Sequence, residues 1–437
     1  MDIYQKICAA TDNIQQELSD QRRDFHKYAE AGWFEMRTSS IIARKLTELG
    51  YEVLTGEAVC QREARMGVAD EAVLEQQYRR AVAQGADPEF VEATRGGMTG
   101  VIGILRCGEG PAVAMRFDID ALGVKEAEEP EHIPSKEGFA SINAGFMHAC
   151  GHDGHAAIGL GVAKVLMELR EHLRGTVKLI FQPAEEGVRG AKAIVEKGHL
   201  DGVQYFLSAH ISGKPADEPA AVTPGSFGSL ATCKYDVVYT GTSGHAGSSP
   251  HSGSNALLAA ASAVMNLNAI PRHGDGATRI NVGTLHAGSG RNVIPDEAKM
   301  ELEVRGATTE LNRYMCQRAE AILEHTAQMY GCGCQIRLMG AADSLTSDLS
   351  LARRVDRVCR EKLGLPTTKE LTVASFGSED VAYMMNRVQE QGGEATFFRA
   401  LTPTAGPAHN RRFDFGEEVL VNSVKVFCAV AADILKV

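Results

Sequence analysis

Histidine, cysteine and aspartate are concentrated in the segment HACGHDGH, which runs from His148 to His155. Cys150 and His152 lie two positions apart in a glycine-containing loop that precedes a helical pattern. Thiolate and imidazole are ligands that borderline-soft divalent metals prefer. A helix N-terminus and a nearby metal would both favour a deprotonated Cys150. The segment therefore predicts part of a metal site, which two ligands alone do not close.

The remaining candidate ligands follow predicted strands or lie in a late loop. Glu185 and Glu186 end the run GTVKLIFQPAEE, His210 ends VQYFLSAHI, and His409 lies in AGPAHNRRFDF. These segments supply enough donors for two metal ions, from the set Cys150, His152, Glu186, His210 and His409. One glutamate of an adjacent pair can bind metal while the other acts as the general base that a hydrolase needs. The residues together favour a metal-dependent hydrolase.

Each of these residues also has an ordinary structural explanation. A single histidine at a strand end is mostly structural, a pair of glutamates is mostly a solvated turn, and a cytosolic cysteine is mostly a small buried apolar residue. Asp118 and Asp120, in RFDIDAL, either orient ligand histidines or are solvated where a strand ends. Asp153 and His155 have the same two alternatives, orientation or capping. The hydrolase hypothesis therefore rests on the joint position of the ligands.

The segments that carry these residues alternate between strand and helix patterns. GPAVAMRFDID, GTVKLIFQPAEE and VQYFLSAHI are predicted strands, and the helical patterns HDGHAAIGLGVAKVLMELREHL and GAKAIVEKG separate them. The alternation predicts an α/β fold with a parallel-rich mixed sheet covered by helices. Ligands of such sheets bind beyond the carboxyl ends of the strands. We therefore expect the acidic residues and His210 to meet at one edge of this sheet.

The pattern changes in the middle of the chain. Residues 229–340 show the order β-α-β-β-α-β, which predicts an inserted ferredoxin-like α+β domain. Residues 1–228 and 341–437 are then the metal-binding catalytic domain. Within the first of these segments, residues 57–97 are rich in charge and helix formers, with breaks at Gly85 and Pro88. This stretch is expected to form an inserted helical hairpin or lobe.

Composition excludes several classes of partner. The chain has 437 residues and a formal net charge of -11, which argues against binding to nucleic acid or to an anionic membrane surface. It begins without a cationic and apolar leader, and no apolar run approaches the roughly 20 residues of a membrane span. The ten cysteines lack the spacing of a disulfide framework. A cytoplasmic protein with reduced thiols is the expectation.

Several motifs taken together resemble the amidohydrolase branch of the co-catalytic metallopeptidase family. They are RRDFHKYAEAGWFE, FDIDAL, MHACGHDGHAA, IFQPAEEG, SAHI, GTSGHAG, AGSGRNVIP, GSED and AHN. This family includes hippurate hydrolase, indole-acetyl-amino-acid hydrolases, N-acyl-amino-acid deacetylases and glutamate carboxypeptidase. The motifs cover nearly the whole chain in order. The sequence departs from the family at Ala29, where many relatives have proline, and in the insert at 57–97, which most of the branch lacks.

The resemblance implies a role for each matching residue. The five candidate ligands would hold two divalent ions, Mn²⁺ or Zn²⁺, with Cys150 between them. Glu185 would be the base that deprotonates water and then protonates the leaving amine. His245, in GTSGHAG on the inserted domain, resembles a lid histidine that stabilises the tetrahedral oxyanion. Asn292 and Arg305 resemble groups that bind the substrate carboxylate or the oxyanion.

The resemblance also implies a substrate and a mode of assembly. The expected reaction is hydrolysis of the amide bond of p-aminobenzoyl-glutamate, a folate breakdown product, and the alternative is a broader N-acyl-amino-acid or hippurate-type amidohydrolase. A different class of function is an accessory subunit that completes a partner's active site. The expected assembly is a dimer through the inserted lid domain, either with a second copy or with a related B subunit.

Overall fold

The computed structural model describes residues 1–215, 217–374 and 377–437. They form two compact units. Unit 1 consists of Met1–Phe227, Thr346–Ala374 and Asp380–Val437, and unit 2 consists of Gly228–Leu345 with a short segment that ends at Glu379. Within the described residues, no helix is both long enough and apolar enough to span a membrane.

Helices occur along the whole chain. They are α1 (Ile3–Asn13), α2 (Gln15–Lys27), α3 (Met36–Leu49), α4 (Glu71–Ala83), α5 (Ile133–Glu137), α6 (His152–Glu168), α7 (Ala191–Glu196), α8 (Ala256–Asn268), α9 (Thr309–Met329), α10 (Leu349–Val358), α11 (Val381–Glu390) and α12 (Glu418–Leu435). Gly50 ends α3 with a left-handed φ of 91°, where its N–H bonds to the carbonyl groups of the last turn.

The strands fall into three sheets. They are β1 (Glu52–Thr55), β2 (Val101–Arg106), β3 (Ala112–Asp118), β4 (Thr176–Gln182), β5 (Tyr205–Gly213), β6 (Val222–Thr223), β7 (Gly225–Ser229), β8 (Ala231–Thr240), β9 (Thr278–Ala287), β10 (Glu297–Gly306), β11 (Gly333–Ala342), β12 (Leu345–Thr346), β13 (Thr372–Ala374) and β14 (Glu394–Thr402). The smallest sheet has the order β12-β7-β13.

The main sheet of unit 1 has the order β1-β2-β4-β3-β5-β14-β6. The central pairs β4–β3, β3–β5 and β5–β14 are parallel, whereas the pairs at both margins are antiparallel. The central strands are apolar along most of their length because helices such as α6 and α12 contribute to the same core. The predicted parallel-rich mixed sheet covered by helices is confirmed.

Unit 2 has an antiparallel sheet with the order β11-β8-β10-β9. Two helices, α8 and α9, pack on one face of it, and β8 alternates between buried and partly exposed residues as a half-covered strand requires. The chain order β8-α8-β9-β10-α9-β11 is that of a ferredoxin-like sandwich. The predicted fold of the inserted region is confirmed.

The stretch at 57–97 contains one α-helix, α4, flanked by the 3₁₀ turns Gly56–Ala58, Arg62–Ala64 and Val91–Thr94. It is therefore a lobe and not a hairpin of two helices. The apolar side of α4 is small, since Leu74 and Ala81 pack with Met36 of α3 as a cluster of their own. The pair of breaks at Gly85 and Pro88 ends the helical pattern without starting a second α-helix.

A network of buried charges lies beside α6 in unit 1. Arg22 is fully buried, and its guanidinium contacts Asp153 at 2.8 Å and Asp414 at 2.6 Å. His26 is also buried, with its ring nitrogens 2.8 Å from Asp153 and 2.9 Å from Glu126. Asp153 thus forms ion pairs with two cationic side chains of α2. These contacts join α2 to the start of α6. A buried charge is tolerated only with such partners.

We expect the stability of unit 1 to fall at mildly alkaline pH because of His26. Burial lowers the pKa of His26, but the hydrogen bonds to Asp153 and Glu126 outweigh this and raise the pKa to about 9. The protonated ring therefore stabilises the fold fully below about pH 6.5, and the contribution, of the order of 3 kcal/mol, is lost as the pH rises through about 9. Urea unfolding followed by the fluorescence of Trp33, the single tryptophan, measures this.

Two variants distinguish the contribution of His26 to this pH dependence from that of other histidines. His26→Gln should be less stable than the parent at pH 7 and should lose the decline in urea midpoint between pH 7 and 9.5. His251→Gln alters an exposed histidine of unit 2 and should keep the parent profile. A decline of the same size in His26→Gln would assign the pH dependence to other groups.

Candidate metal centre and active site

Three parallel strands and one helix position most of the candidate residues of unit 1, and His409 comes from the loop after β14, where its N–H donates to the carbonyl of Ala149 at 2.7 Å. β3 ends at Asp118, β4 is followed by the turn that carries Glu185 and Glu186, and β5 carries His210 near its carboxyl end. β4, β3 and β5 are neighbours in the sheet, so these ends lie at the same edge. The helix α6 begins at His152, directly after a left-handed Gly151 with φ 92°. This loop–helix junction places Cys150 and His152 at that edge.

The predicted metal ligands form two clusters that share one thiol. The ligand atoms of Cys150, His152 and His210 all lie within 4.8 Å of one another, and so do those of Cys150, Glu186 and His409. Cys150 Sγ is 3.4 Å from His210 Nε2, and His409 Nε2 is 3.6 Å from Glu186 Oε1. The first cluster offers two nitrogens and a sulfur, and the second offers nitrogen, oxygen and sulfur; three such donors suit a tetrahedral divalent ion that keeps one position open. Each of these two groups could hold a metal ion.

The orientation of His152 tests whether a cation fits. Its Nδ1 donates to the main-chain carbonyl of Asp120 at 2.9 Å, which leaves Nε2 facing the cluster. Nε2 is buried and has no hydrogen-bond partner among residues 1–215, 217–374 and 377–437. Burial lowers the pKa of His152, but the negative charge of Asp118 and the contact with Asp120 outweigh it and raise the pKa well above its usual value. The buried Nε2, which faces the cluster and lies beside carboxylates, is the atom of His152 that a bound cation would contact.

The other two donors of the cluster that contains His152, which are His210 and Cys150, are neutral without a metal. His210 Nδ1 donates to the carbonyl of Ile211 at 2.6 Å, and burial holds the His210 pKa well below its usual value. Burial also raises the pKa of the Cys150 thiol to about 12. Without a metal, desolvation thus outweighs the groups that favour the Cys150 thiolate, so of the two expected influences the nearby metal is the larger. The thiolate form of Cys150 requires a cation in contact with it.

His155 is structural. Its Nδ1 contacts the carboxylate of Asp118, and its Nε2 accepts the main-chain N–H of Ile211 at 2.9 Å. Asp118 is itself held by Arg116 at 2.6 Å. With both ring nitrogens used, His155 ties β3 and α6 to the end of β5. Asp118 is therefore buried and not solvated, but the histidine that hydrogen-bonds to it is His155 and not one of the five candidate ligands.

Asp120 holds the turn that carries the glutamate pair. Its two carboxylate oxygens accept the main-chain N–H groups of Glu185 at 3.0 Å and Glu186 at 2.9 Å. The turn is tight, with left-handed φ values of 51° at Ala184 and 61° at Val188. Glu185 Oε2 lies 3.9 Å from His152 Nε2, whereas Glu186 lies beside His409. The ligand atoms of Glu185, Glu186 and His152 also lie within 4.8 Å of one another, so the two glutamates face one continuous cluster and differ in the histidine beside each.

Two buried carboxylates that the sequence did not single out support the same turn. Glu35 accepts the N–H of Ala184 at 2.7 Å, and burial together with the charge of Asp120 raises the Glu35 pKa to about 8. Asp380 accepts the N–H groups of Gly190 at 3.0 Å and Ala191 at 2.9 Å. No local pattern marks these residues, because their partners are distant in the chain. The motif GSED contains Asp380, but nothing in the motif indicates that Asp380 accepts hydrogen bonds from Gly190 and Ala191.

In unit 2, His245 and Asn292 lie in adjacent loops. Both side chains are exposed, and the N–H of Ala246 donates to the carbonyl of Asn292 at 3.0 Å. His245 Nδ1 accepts the N–H groups of Gly247 at 3.1 Å and Ser248 at 3.0 Å. In the neutral ring the hydrogen therefore lies on Nε2. His245 presents an N–H donor away from its own loop, which is the form that can stabilise an oxyanion.

Arg305 lies on β10 and forms an ion pair within that strand. Its Nε and Nη2 contact the carboxylate of Glu303 at 2.6 Å and 3.0 Å, and its Nη1 is 3.4 Å from Ser378 Oγ. The bidentate edge of the guanidinium is thus engaged with Glu303. Binding of a substrate carboxylate by that edge would require Glu303 to be displaced. Nη1 forms only the longer contact with Ser378.

Comparisons with known proteins agree with this geometry. The chain matches peptidase family M20/M25/M40 over residues 114–433. It is 45% identical to one of the subunits of p-aminobenzoyl-glutamate hydrolase from Escherichia coli and 44% identical to indole-3-acetyl-aspartic acid hydrolase of Enterobacter agglomerans, in each case over 95% of both chains. The match thus extends over nearly the whole length of these relatives.

Solved structures resemble it along the same length. An aminobenzoyl-glutamate utilization protein from Klebsiella pneumoniae is similar with a TM-score of 0.83 and 36% identity, over 97% of both chains. A dinuclear metal-binding peptidase of the M20 family from Bacillus subtilis is similar with a TM-score of 0.66 and 25% identity, over 97% of this chain and 99% of that one. The chain therefore belongs to the M20/M25/M40 peptidase family, whose members are metal-dependent hydrolases of amide bonds.

Proposed function

We propose that this protein hydrolyses the amide bond of p-aminobenzoyl-glutamate to p-aminobenzoate and glutamate. The observation that carries the proposal is the pair of three-donor clusters that share Cys150, with Glu185 beside them. The substrate is taken from the relative that is 45% identical over 95% of the chain and is named for that hydrolysis. The structural relative at a TM-score of 0.83 supports the same substrate class.

Cys150, His152, Glu186, His210 and His409 are proposed to hold two ions, Mn²⁺ or Zn²⁺. The mixture of thiolate, imidazole and carboxylate suits both ions, with a softer set of donors at the cluster that contains His152 and His210. When bound, such ions lower the pKa of water and polarise the amide carbonyl. Cys150 supplies the thiolate that both clusters share.

Glu185 is the proposed general base and general acid. Its carboxylate accepts a proton from the attacking water and delivers that proton to the leaving amide nitrogen, so the leaving amine departs neutral. Asp120 keeps Glu185 in place through the main-chain contact described above. The turn lies at the edge of the sheet where parallel strands end, which is the usual position for a ligand in such folds.

His245, Asn292 and Arg305 are the proposed substrate-binding residues of unit 2. The Nε2–H of His245 would donate to the oxyanion of the tetrahedral intermediate, with Asn292 in the adjacent loop as a second polar group. Arg305 would bind a carboxylate of the glutamate moiety. Because a carboxylate remote from the scissile bond is held equally in the ground state and the transition state, we expect Arg305 to affect KM more than kcat.

We expect His245→Ala to lower kcat by about 10²–10³-fold with a small change in KM, because loss of one oxyanion donor affects mainly the transition state. Steady-state release of p-aminobenzoate by the metal-loaded variant measures this. His325→Ala removes a histidine on α9 whose Nδ1 bonds only within its own helix and should retain parental kcat. A His245→Ala variant with parental kcat would exclude the oxyanion role.

The function itself is tested by chelating the purified chain, reloading it with Mn²⁺ or Zn²⁺, and measuring p-aminobenzoate release from p-aminobenzoyl-glutamate. Metal-dependent turnover is the expected result. Indole-3-acetyl-aspartate is the second substrate to assay, because a relative named for its hydrolysis is 44% identical over 95% of the chain. Preference for that compound, or for hippurate, would assign the broader N-acyl-amino-acid activity. Two bound metals without turnover on any of these would favour the alternative role as an accessory subunit.

A dimer through unit 2 is part of the proposal. β9 is an edge strand of the unit 2 sheet, and α8 exposes Leu257, Leu258 and Met265. An unpaired edge and a row of exposed apolar side chains favour association. The Escherichia coli relative is named as one subunit of its hydrolase, which suggests that the partner is a related B subunit. The alternative partner is a second copy of this chain. Sedimentation of the purified chain alone distinguishes a homodimer from a monomer that dimerises only with a different subunit. A cytoplasmic location remains part of the proposal, on the ground that the ten cysteines lack the spacing of a disulfide framework.

A further inference from the structure

One side chain, Arg189, joins the lobe at 57–97 to the turn that carries the glutamate pair. Its Nε donates to the main-chain carbonyl of Glu186 at 2.8 Å, and its Nη1 donates to the main-chain carbonyl of Gly67 at 3.3 Å. The main-chain N–H of Arg189 also donates to Ala184 at 3.1 Å. The guanidinium thus extends from a candidate metal-ligand turn to a loop of the lobe.

The absence of a side chain at Gly32 makes room for this guanidinium. A Cβ at Gly32 would lie 2.3 Å from Arg189 Nη2 and 3.0 Å from the Cα of Ala184. Gly32 does not have a left-handed φ, so its backbone conformation does not by itself require glycine. The closest neighbour of a Cβ at position 32 is the end of the Arg189 side chain, so a side chain there would displace the guanidinium from its present contacts.

The lobe loop that receives Arg189 is itself held firmly. Trp33 is fully buried, and its Nε1 donates to the carbonyl of Met66 at 2.7 Å. Arg65 Nη1 donates to the carbonyl groups of Gly96 at 2.8 Å and Gly97 at 3.0 Å. The loop is therefore anchored by the two residues that precede Gly67. Its carbonyl group is a fixed acceptor and not a mobile one.

We propose that the lobe supports the metal centre, with Arg189 as a positioning residue that fixes the main chain of Glu186. Fixing this carbonyl group limits the rotation of the peptide from which the Glu186 carboxylate extends. Groups that orient metal ligands typically change metal affinity by about 10–100-fold when they are removed. The inference rests on the proposed function in one respect, namely that Glu186 is a ligand.

The test is the affinity of the purified full chain for Zn²⁺ alone, measured by competition with a chelating dye. Arg189→Gln should weaken at least one of the two affinities by about 10-fold or more. Gly32→Ala should do the same although Arg189 is still present, because its Cβ displaces the guanidinium. Arg189→Lys keeps one donor and should give an intermediate affinity. If Arg189 only stabilised the fold, these variants would change the unfolding midpoint without a graded change in Zn²⁺ affinity.

Arg79→Gln is the control, since Arg79 lies on α4 of the same lobe, is exposed and pairs with Glu75 at 3.0 Å. It should keep the parental Zn²⁺ affinity. Affinities of Arg189→Gln and Gly32→Ala within twofold of the parent would overturn the positioning role and leave the proposed function intact. A parent chain that binds no Zn²⁺ would overturn both proposals together.

Discussion

Glu185→Gln is expected to lower kcat for p-aminobenzoyl-glutamate by about 10³–10⁴-fold while two metal ions remain bound. Glutamine has nearly the same shape as glutamate, but its amide neither accepts a proton from water nor donates one as a carboxylic acid. Glu185 lies beside His152 Nε2 at 3.9 Å, and its main-chain N–H stays bonded to Asp120 whatever the side chain. The substitution should therefore remove the proton transfer and leave the turn in place.

The measurement pairs turnover with metal content in the same preparation. Release of p-aminobenzoate gives kcat, and elemental analysis after dialysis gives the number of ions bound. Glu196→Gln, on the exposed side of α7, is the control and should match the parent in both. A Glu185→Gln variant with full activity would remove Glu185 as the base. Loss of metal together with activity would instead make Glu185 a ligand.

Cys150→Ala is expected to abolish detectable turnover and to weaken binding of both metal ions. Both three-donor clusters contain Cys150, so its removal leaves His152 and His210 in one and Glu186 and His409 in the other. Two ligands do not complete a tetrahedral site, and loss of the thiolate also removes the negative charge between two cations. The metal content should fall from two to one or none per chain.

His409→Ala provides the comparison that makes this result specific. His409 belongs to only one of the two clusters, so this variant should retain one tightly bound ion. Cys8→Ser alters a thiol on α1 and should bind two ions as the parent does. If Cys150→Ala bound two ions with parental affinity, the thiol would not be a shared ligand. Equal losses in Cys150→Ala and His409→Ala would exclude the division into two clusters.

Sequence periodicity predicted the architecture well because it is a local property. Apolar runs that end in Asp118, Glu185 and His210 predicted parallel strands, and the β-α-β-β-α-β order predicted the sandwich of unit 2. The same approach left two alternatives open, a helical hairpin or a lobe, where local signals are weak. The lobe contains one helix and not a hairpin, since a charged, helix-forming composition does not specify how many helices form.

The candidate site was predictable as a set of residue types and not as a set of contacts. Histidine, cysteine and glutamate near strand ends are visible in the sequence. Arg22, Glu35, Asp380 and Arg189 are not, because each acts on residues more than 100 positions away or on main-chain groups. A sequence pattern carries no signal for a side chain whose partner is a distant carbonyl or N–H group.

The sequence by itself determined the order of strands and helices along the chain, the family, and the types of side chain available to bind metal. Only the tertiary structure decided which atoms face the site. It placed Cys150 in both clusters, used both nitrogens of His155 elsewhere, and buried the Cys150 thiol so that its pKa rises to about 12. The physical reason is that element type follows from local periodicity, whereas burial, tautomer and charge depend on groups that folding brings together from across the chain.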